Sequence, residues 1–201
     1  MGREFEVKLR ASSTEALRAV EVDPAVAAAA WGKVRPIQME SVYYDTPGRT
    51  LSERRWTLRR RRENSRYVVT VKTPASGLGR GEWEVESESV MGALPELCKK
   101  GAPAELLELT AAGVLPCCGA SFQRKALDLR LPDGTRAELA LDQGFLTGGN
   151  RREPLLEVEL ELKSGSEEAV VRFCGDLARR HSLMPEGKSK FARAAALAEE
   201  M

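Results

Sequence analysis

Segments with a period of two dominate this chain, eight of them in all, and few folds tolerate that pattern. The segments are 4–9, 41–45, 56–62, 67–72, 82–86, 122–131, 135–142 and 156–163. A period of two sends successive side chains to opposite faces of an extended strand, so about eight β-strands are predicted. In the first, Phe5, Val7 and Leu9 share one face, while Glu4, Glu6 and Lys8 share the other. Trp83 and Val85 oppose Glu82, Glu84 and Glu86 in the fifth. In the last, Leu156, Val158, Leu160 and Leu162 oppose Glu157, Glu159 and Glu161. Arg59 and Arg61 share a face of the third strand, and Thr70 and Lys72 share one of the fourth.

Turn chemistry separates the strands: Thr46-Pro47-Gly48, Glu63-Asn64-Ser65, the 77–81 loop and Pro132-Asp133-Gly134. Helical signals fill the gaps. Ser12 with Glu15 reads as a capping box, and Asp23-Pro24 as an N-cap followed by a first-turn proline. Residues 103–112 predict a short helix. Ser166 opens a longer one with Val170, Cys174, Leu177 and His181 on one stripe, and 188–199 form an alanine-rich last helix. With 201 residues and neither repeat nor linker, the expectation is one α+β domain over residues 1–201.

Composition removes several function classes. Lys and Arg total 31 against 30 Asp and Glu, a net charge of +1, which argues against coating nucleic acid or a membrane by bulk charge. Hydrophobic residues at 42% suffice for a packed core. No apolar run is long enough to span a bilayer, and the start lacks a signal-peptide stretch, so the expected location is the cytoplasm. The adjacent pair Cys117 and Cys118 does not have the spacing of a structural zinc site. Together with Cys98 and Cys174 they read as free thiols of a reducing compartment. A single histidine, His181, removes His-based triads, leaving carboxylates, lysines and arginines to run any chemistry.

Solvent-facing charge is the ordinary explanation of one alternating strand. Here, however, the acidic strands and the basic strands are segregated by sign. A sheet of this size, with helices over its apolar side, can curl into a closed barrel with a charged interior. Arginines and lysines would then meet phosphate oxygens, and carboxylates would hold Mg²⁺ or Mn²⁺. Arg59 to Arg62 also read as a basic patch, but only alternate arginines of a strand share a face. Trp56 and Trp83 are placed in the core rather than as stacking platforms. The glycines at 79–81 lack the Gly-Lys-Ser/Thr ending of a phosphate loop.

Glu4-x-Glu6-x-Lys8 resembles the ExExK signature of the CYTH superfamily, the triphosphate tunnel metalloenzymes. The resemblance continues in order through Tyr43-Tyr44-Asp45-Thr46-Pro47, Leu58-Arg59-Arg60-Arg61, Thr70-Val71-Lys72 and Arg80-Gly81-Glu82-Trp83-Glu84. It runs on through Arg124, Asp142, Glu157 to Glu161 and Lys188-Ser189-Lys190. It is to bacterial inorganic triphosphatases in particular, whose CYTH domain often precedes a CHAD domain; the chain is expected to hold the CYTH unit without that partner. The resemblance implies an eight-stranded antiparallel closed tunnel with helices packed outside. It implies Glu4, Glu6, Glu157 and Glu159 as ligands of Mg²⁺ or Mn²⁺. Arg59, Arg61, Lys72, Arg124 and Lys188 would grip the triphosphate.

Lys8, with Tyr43, would position or activate the attacking water, and Glu4 and Glu6 would share in catalysis. Because neighbouring carboxylates favour a charged lysine, orienting the water suits Lys8 better than acting as a neutral base. Glu82, Glu84, Asp142 and Glu161 would support the tunnel. The implied reaction is metal-dependent hydrolysis of inorganic triphosphate to pyrophosphate and phosphate. Thiamine triphosphatase, nucleoside triphosphatase, adenylate cyclase and a non-catalytic polyphosphate- or nucleotide-binding module are the alternatives. The expected partner is a small anionic triphosphate, not nucleic acid or membrane, and a homodimer is compatible with the sequence. Many relatives carry a second basic residue two positions before Arg124, where this chain has Phe122.

Overall fold

A computed structural model describes residues 5–74 and 81–199. Its strands are β1 (Glu6–Arg10), β2 (Arg35–Asp45), β3 (Thr57–Glu63), β4 (Arg66–Thr73), β5 (Gly81–Glu86), β6 (Leu115–Arg130), β7 (Arg136–Gly148), β8 (Arg151–Ser164) and the two-residue β9 (Met184–Pro185). The helices are α1 (Thr14–Glu21), α2 (Pro24–Ala29), α3 (Thr50–Glu53), α4 (Val90–Lys99), α5 (Glu105–Leu109), α6 (Glu167–His181) and α7 (Lys190–Glu199). All eight expected strands are present. The strands β2, β6, β7 and β8 run well beyond what the alternation alone indicates, because segments such as Leu115-Pro-Cys-Cys-Gly-Ala lack a period of two yet still pair.

The expected closed barrel is not formed. The strands make one nine-stranded sheet in the order β5-β4-β3-β2-β6-β7-β8-β1-β9, which leaves β5 and β9 as edges. The β9 edge is too short to carry a closing ladder. It meets β1 only through Leu9↔Pro185 and Arg10↔Met184, and Pro185 has no N–H to donate. The other edge, β5, carries Glu82, Glu84 and Glu86, the kind of charge that discourages further pairing.

The chain divides into two compact units. The first comprises Met1–Ile37, Phe122–Phe145 and Pro154–Ser189. Its core joins the apolar faces of β1, β7 and β8 to α6, with Leu139, Val158, Leu160, Val170 and Leu177 all buried. Burying each such side chain contributes roughly 1.5–3 kcal/mol. The α1 cap is Ser13 rather than Ser12, accepting from the Ala16 N–H at 3.2 Å. Asp23 caps α2, accepting from Ala25 N–H at 2.8 Å, and also receives Arg180 and His181 from the end of α6. Burial opposes ionisation of Asp23, but these hydrogen bonds hold its carboxyl well below the usual carboxylate range. The β6–β7 turn needs Gly134, whose φ of +88° suits glycine.

The second unit comprises Gln38–Ser121, Leu146–Glu153 and Lys190–Met201. Its core packs Leu58, Val69, Val71 and Val85 of β3–β5 against Leu94 and Leu97 of α4 and Leu106 of α5. Gly92 and Pro95 conceal α4 from a propensity reading, since both weaken a helix. The Ser89 cap on Gly92 N–H and the buried stripe Val90, Ala93, Leu94 and Leu97 outweigh them. A side chain at Gly148 would strike the backbone of α7 at Ala194 and Ala198, so glycine is what permits this close approach. Among the described residues no helix is long and apolar enough to cross a membrane.

Candidate functional site

In the first unit, three adjacent strands bring carboxylates and one arginine together. Asp142 on β7 and Glu157 and Glu159 on β8 each offer an oxygen, and these oxygens lie within 4.8 Å of one another. Asp142 and Glu157 are fully buried, and Glu159 is 8% exposed. The parity of β8 explains the placement: Val158 and Leu160 enter the apolar core while their neighbours turn to the opposite face. Arg124 on β6 forks onto Asp142 with two hydrogen bonds of 2.7 Å and reaches Glu159 at 2.6 Å. Burial works against its charge, but Asp142 and Glu159 make its proton still harder to remove.

All the ligand atoms this group offers are hard oxygens, the donor set of Mg²⁺ and Mn²⁺. The residues fit a divalent cation.

β1 lies alongside in register, with Lys8↔Glu159 and Glu6↔Glu161. Directly opposed residues share a face, so Glu6, Lys8, Glu159 and Glu161 form one charged patch. Within it Lys8 Nζ pairs with Glu6 at 2.9 Å, and Glu161 pairs with Lys163 at 2.7 Å. Lys188 is exposed, with its backbone N–H donating to the Glu186 carboxylate at 2.8 Å. Glu4 lies outside the described residues.

In the second unit the cations form cross-strand rows. Tyr43, Arg59, Thr70 and Glu84 occupy one row across β2, β3, β4 and β5. Arg59 Nη2 donates to Thr70 Oγ1 at 3.2 Å, Thr70 Oγ1 donates to Glu84 at 2.9 Å, and Arg59 and Glu84 approach to 3.7 Å. Arg59 Nε is buried with no hydrogen-bond partner among the described residues. The next row, Thr57, Lys72 and Glu82, holds the Lys72–Glu82 pair at 2.7 Å. On the other side Arg61, opposite Ser41, pairs with Glu63 and comes within 4.0 Å of Glu84. Arg60 and Arg62 leave this face: Arg60 bonds the Glu88 carbonyl at 3.0 Å, and Arg62 pairs with Glu40.

Tyr43 is buried, its ring 5.1 Å from that of Phe191. Burial raises the phenol above its ordinary value although Arg59 and Lys190 oppose the rise, so Tyr43 is neutral at physiological pH. Asp45, two residues on, has a structural task. Its buried carboxylate accepts from the Thr46, Leu51 and Ser52 N–H groups and so folds the turn into α3.

Of the residues singled out from the sequence, Glu157, Glu159, Asp142 and Arg124 come together, as do Arg59, Glu84 and Tyr43 in their row. Asp142, expected as a support, is the third carboxylate of the acidic group, while Glu6 pairs with Lys8 instead. Thr70 is the residue whose part in the basic row the alternation does not reveal, since a buried threonine on a strand is unremarkable by itself.

The CYTH domain family matches residues 2–195. An inorganic triphosphatase of Haemophilus influenzae is 27% identical over 160 residues, covering 76% of this chain and 44% of the relative. The chain thus spans less than half the length of that protein. Among solved structures, a putative adenylyl cyclase from Hippeastrum described as having a dominant triphosphatase activity shares the fold, with a TM-score of 0.61 and 20% identity. The match covers 96% of this chain and 95% of that one. A putative adenylate cyclase from Bacillus halodurans has a TM-score of 0.56 at 16% identity, covering 95% and 96%. A match along nearly its whole length, on the strands that carry the acidic group and the basic rows, makes this chain a member of the CYTH domain family.

Proposed function

We propose that this protein hydrolyses inorganic triphosphate to pyrophosphate and phosphate with Mg²⁺ or Mn²⁺. The observation that carries the reading is the buried Asp142–Glu157–Glu159 group braced by Arg124, in a chain of this family that is similar to an inorganic triphosphatase. Asp142, Glu157 and Glu159 would hold the cation. When bound, it supplies positive charge for phosphoryl oxygens and acidifies coordinated water.

The protein's own residues then position and stabilise, because phosphoryl transfer asks little covalent work of them. Arg59, Arg61 and Lys72 take phosphate oxygens, and the unsatisfied buried Nε of Arg59 is a donor ready for one. Lys8, held by Glu6, orients water rather than removing its proton. Tyr43, a neutral phenol, serves as a hydrogen-bonding group and not as a base.

The test is phosphate release from triphosphate with and without Mg²⁺ or Mn²⁺, for wild type, Glu6→Ala and Glu157→Gln, with ATP, thiamine triphosphate and polyphosphate as competing substrates. Metal-dependent release that is fastest from triphosphate supports the proposal. Binding without turnover, or cyclic AMP formed from ATP, would overturn it.

A further inference from the structure

The second unit contains a cleft of about 520 Å³, bordered by Cys117, Cys118, Ser41, Ser121, Thr147 and Gly148. The roles proposed above use none of these residues. Adjacent residues of a flat strand send their side chains to opposite faces, yet the sulfurs of Cys117 and Cys118 lie only 3.9 Å apart. Cys117 is half-buried, Cys118 is 9% exposed, and both border the cleft.

That separation selects among the reactions open to two thiols. Two thiolates on one tetrahedral cation, with metal–sulfur bonds of about 2.3 Å, sit about 3.8 Å apart. A disulfide demands about 2.05 Å between sulfurs and Cα atoms at least about 4.4 Å apart, whereas trans neighbours are held at about 3.8 Å. With no cis peptide among the described residues, chelation needs almost no movement and oxidation needs the strand to distort.

The geometry points to a second cation site in this protein: Cys117 and Cys118 chelate one soft, thiophilic d¹⁰ ion of the Zn²⁺ or Cd²⁺ class at the cleft. As each sulfur–metal bond forms, the S–H proton is released to solvent, and no electron changes hands. The Cys117 S–H, which donates to the Tyr43 carbonyl at 3.3 Å, gives up that hydrogen bond. The cleft leaves room for water to complete the coordination. Hard Mg²⁺ and Mn²⁺ prefer the oxygen donors of the carboxylate group, so the two sites sort ions by softness.

The probe is Cd²⁺ alone, titrated into the reduced full chain in excess Mg²⁺ and followed by ultraviolet thiolate-to-cadmium absorption. One absorbing equivalent per chain is expected. Cys98→Ser should leave it intact, and Cys117→Ser or Cys118→Ala should weaken it by about 100-fold or more, because one of two thiolate ligands is gone. If Cys118→Ala does not fold, as judged by circular dichroism, Cys117→Ser decides alone, its sulfur being the less buried. No absorbing equivalent in the wild type, or undiminished binding by folded Cys117→Ser, would overturn the assignment.

Discussion

The two units carry charge on the same kind of alternating strand and use it in opposite ways. In the second, signs alternate along each cross-strand row, so Lys72 meets Glu82 and Arg59 meets Glu84 through Thr70. Such rows are close to neutral by construction. In the first, three carboxylates share one buried spot, and Arg124 bridges two of them. Like charges held this closely in a poorly solvated place repel, and a further cation relieves them. The contrast teaches that carboxylates gathered at one spot offer a cation several oxygens at once, whereas alternating signs along a row largely satisfy one another.

The largest expected effect strikes the acidic group. Glu157→Gln keeps the shape and removes a charge, and should cut metal-dependent triphosphate hydrolysis by about 1000-fold or more. Mg²⁺ should raise the melting temperature of the wild type and not of this variant; an equal rise in both would break the contrast. Next, Arg124→Ala strands buried carboxylates and should cost about 3–5 kcal/mol in denaturant unfolding. Arg59→Ala should instead leave the fold and raise KM by roughly 10- to 100-fold, the scale of one or two charge-assisted hydrogen bonds. Loss of folded protein on that change would make Arg59 a structural ion-pair member.

A smaller effect belongs to Thr70→Val, which unties Arg59 without removing it. A KM rise of about 5-fold is expected, with Thr70→Ser restoring most of it. The last prediction concerns acid. The Asp23 carboxyl titrates below its unfolded value of about 3.9, so its contribution to stability is complete above that pH and fades as pH falls further. Unfolding curves at pH 5 and pH 3 should differ more for wild type than for Asp23→Asn. Equal differences would show that Arg180 and His181 do not tie down α2 through this residue.

Much of this was legible in the chain because strand parity is a local property. The alternation in 156–163 already separates Val158 and Leu160 from Glu157 and Glu159, and the Asp23-Pro24 start of α2 is as expected. What escaped has local disguises. Gly92 and Pro95 hide α4, and Leu115 to Ala120 hide the start of β6. Asp45, inside a motif suggestive of chemistry, proves to be the knot of a turn, since its partners Leu51 and Ser52 are six and seven residues away.

From the residues alone came the strands, their two faces and the separation of acidic from basic ribbons, because these depend only on neighbours one and two positions apart. Tertiary structure decided which carboxylates meet, that Thr70 tethers Arg59, and that the sheet keeps two edges instead of closing. Those outcomes rest on pairings between residues far apart in sequence, down to an edge strand that ends at a proline with no hydrogen to give.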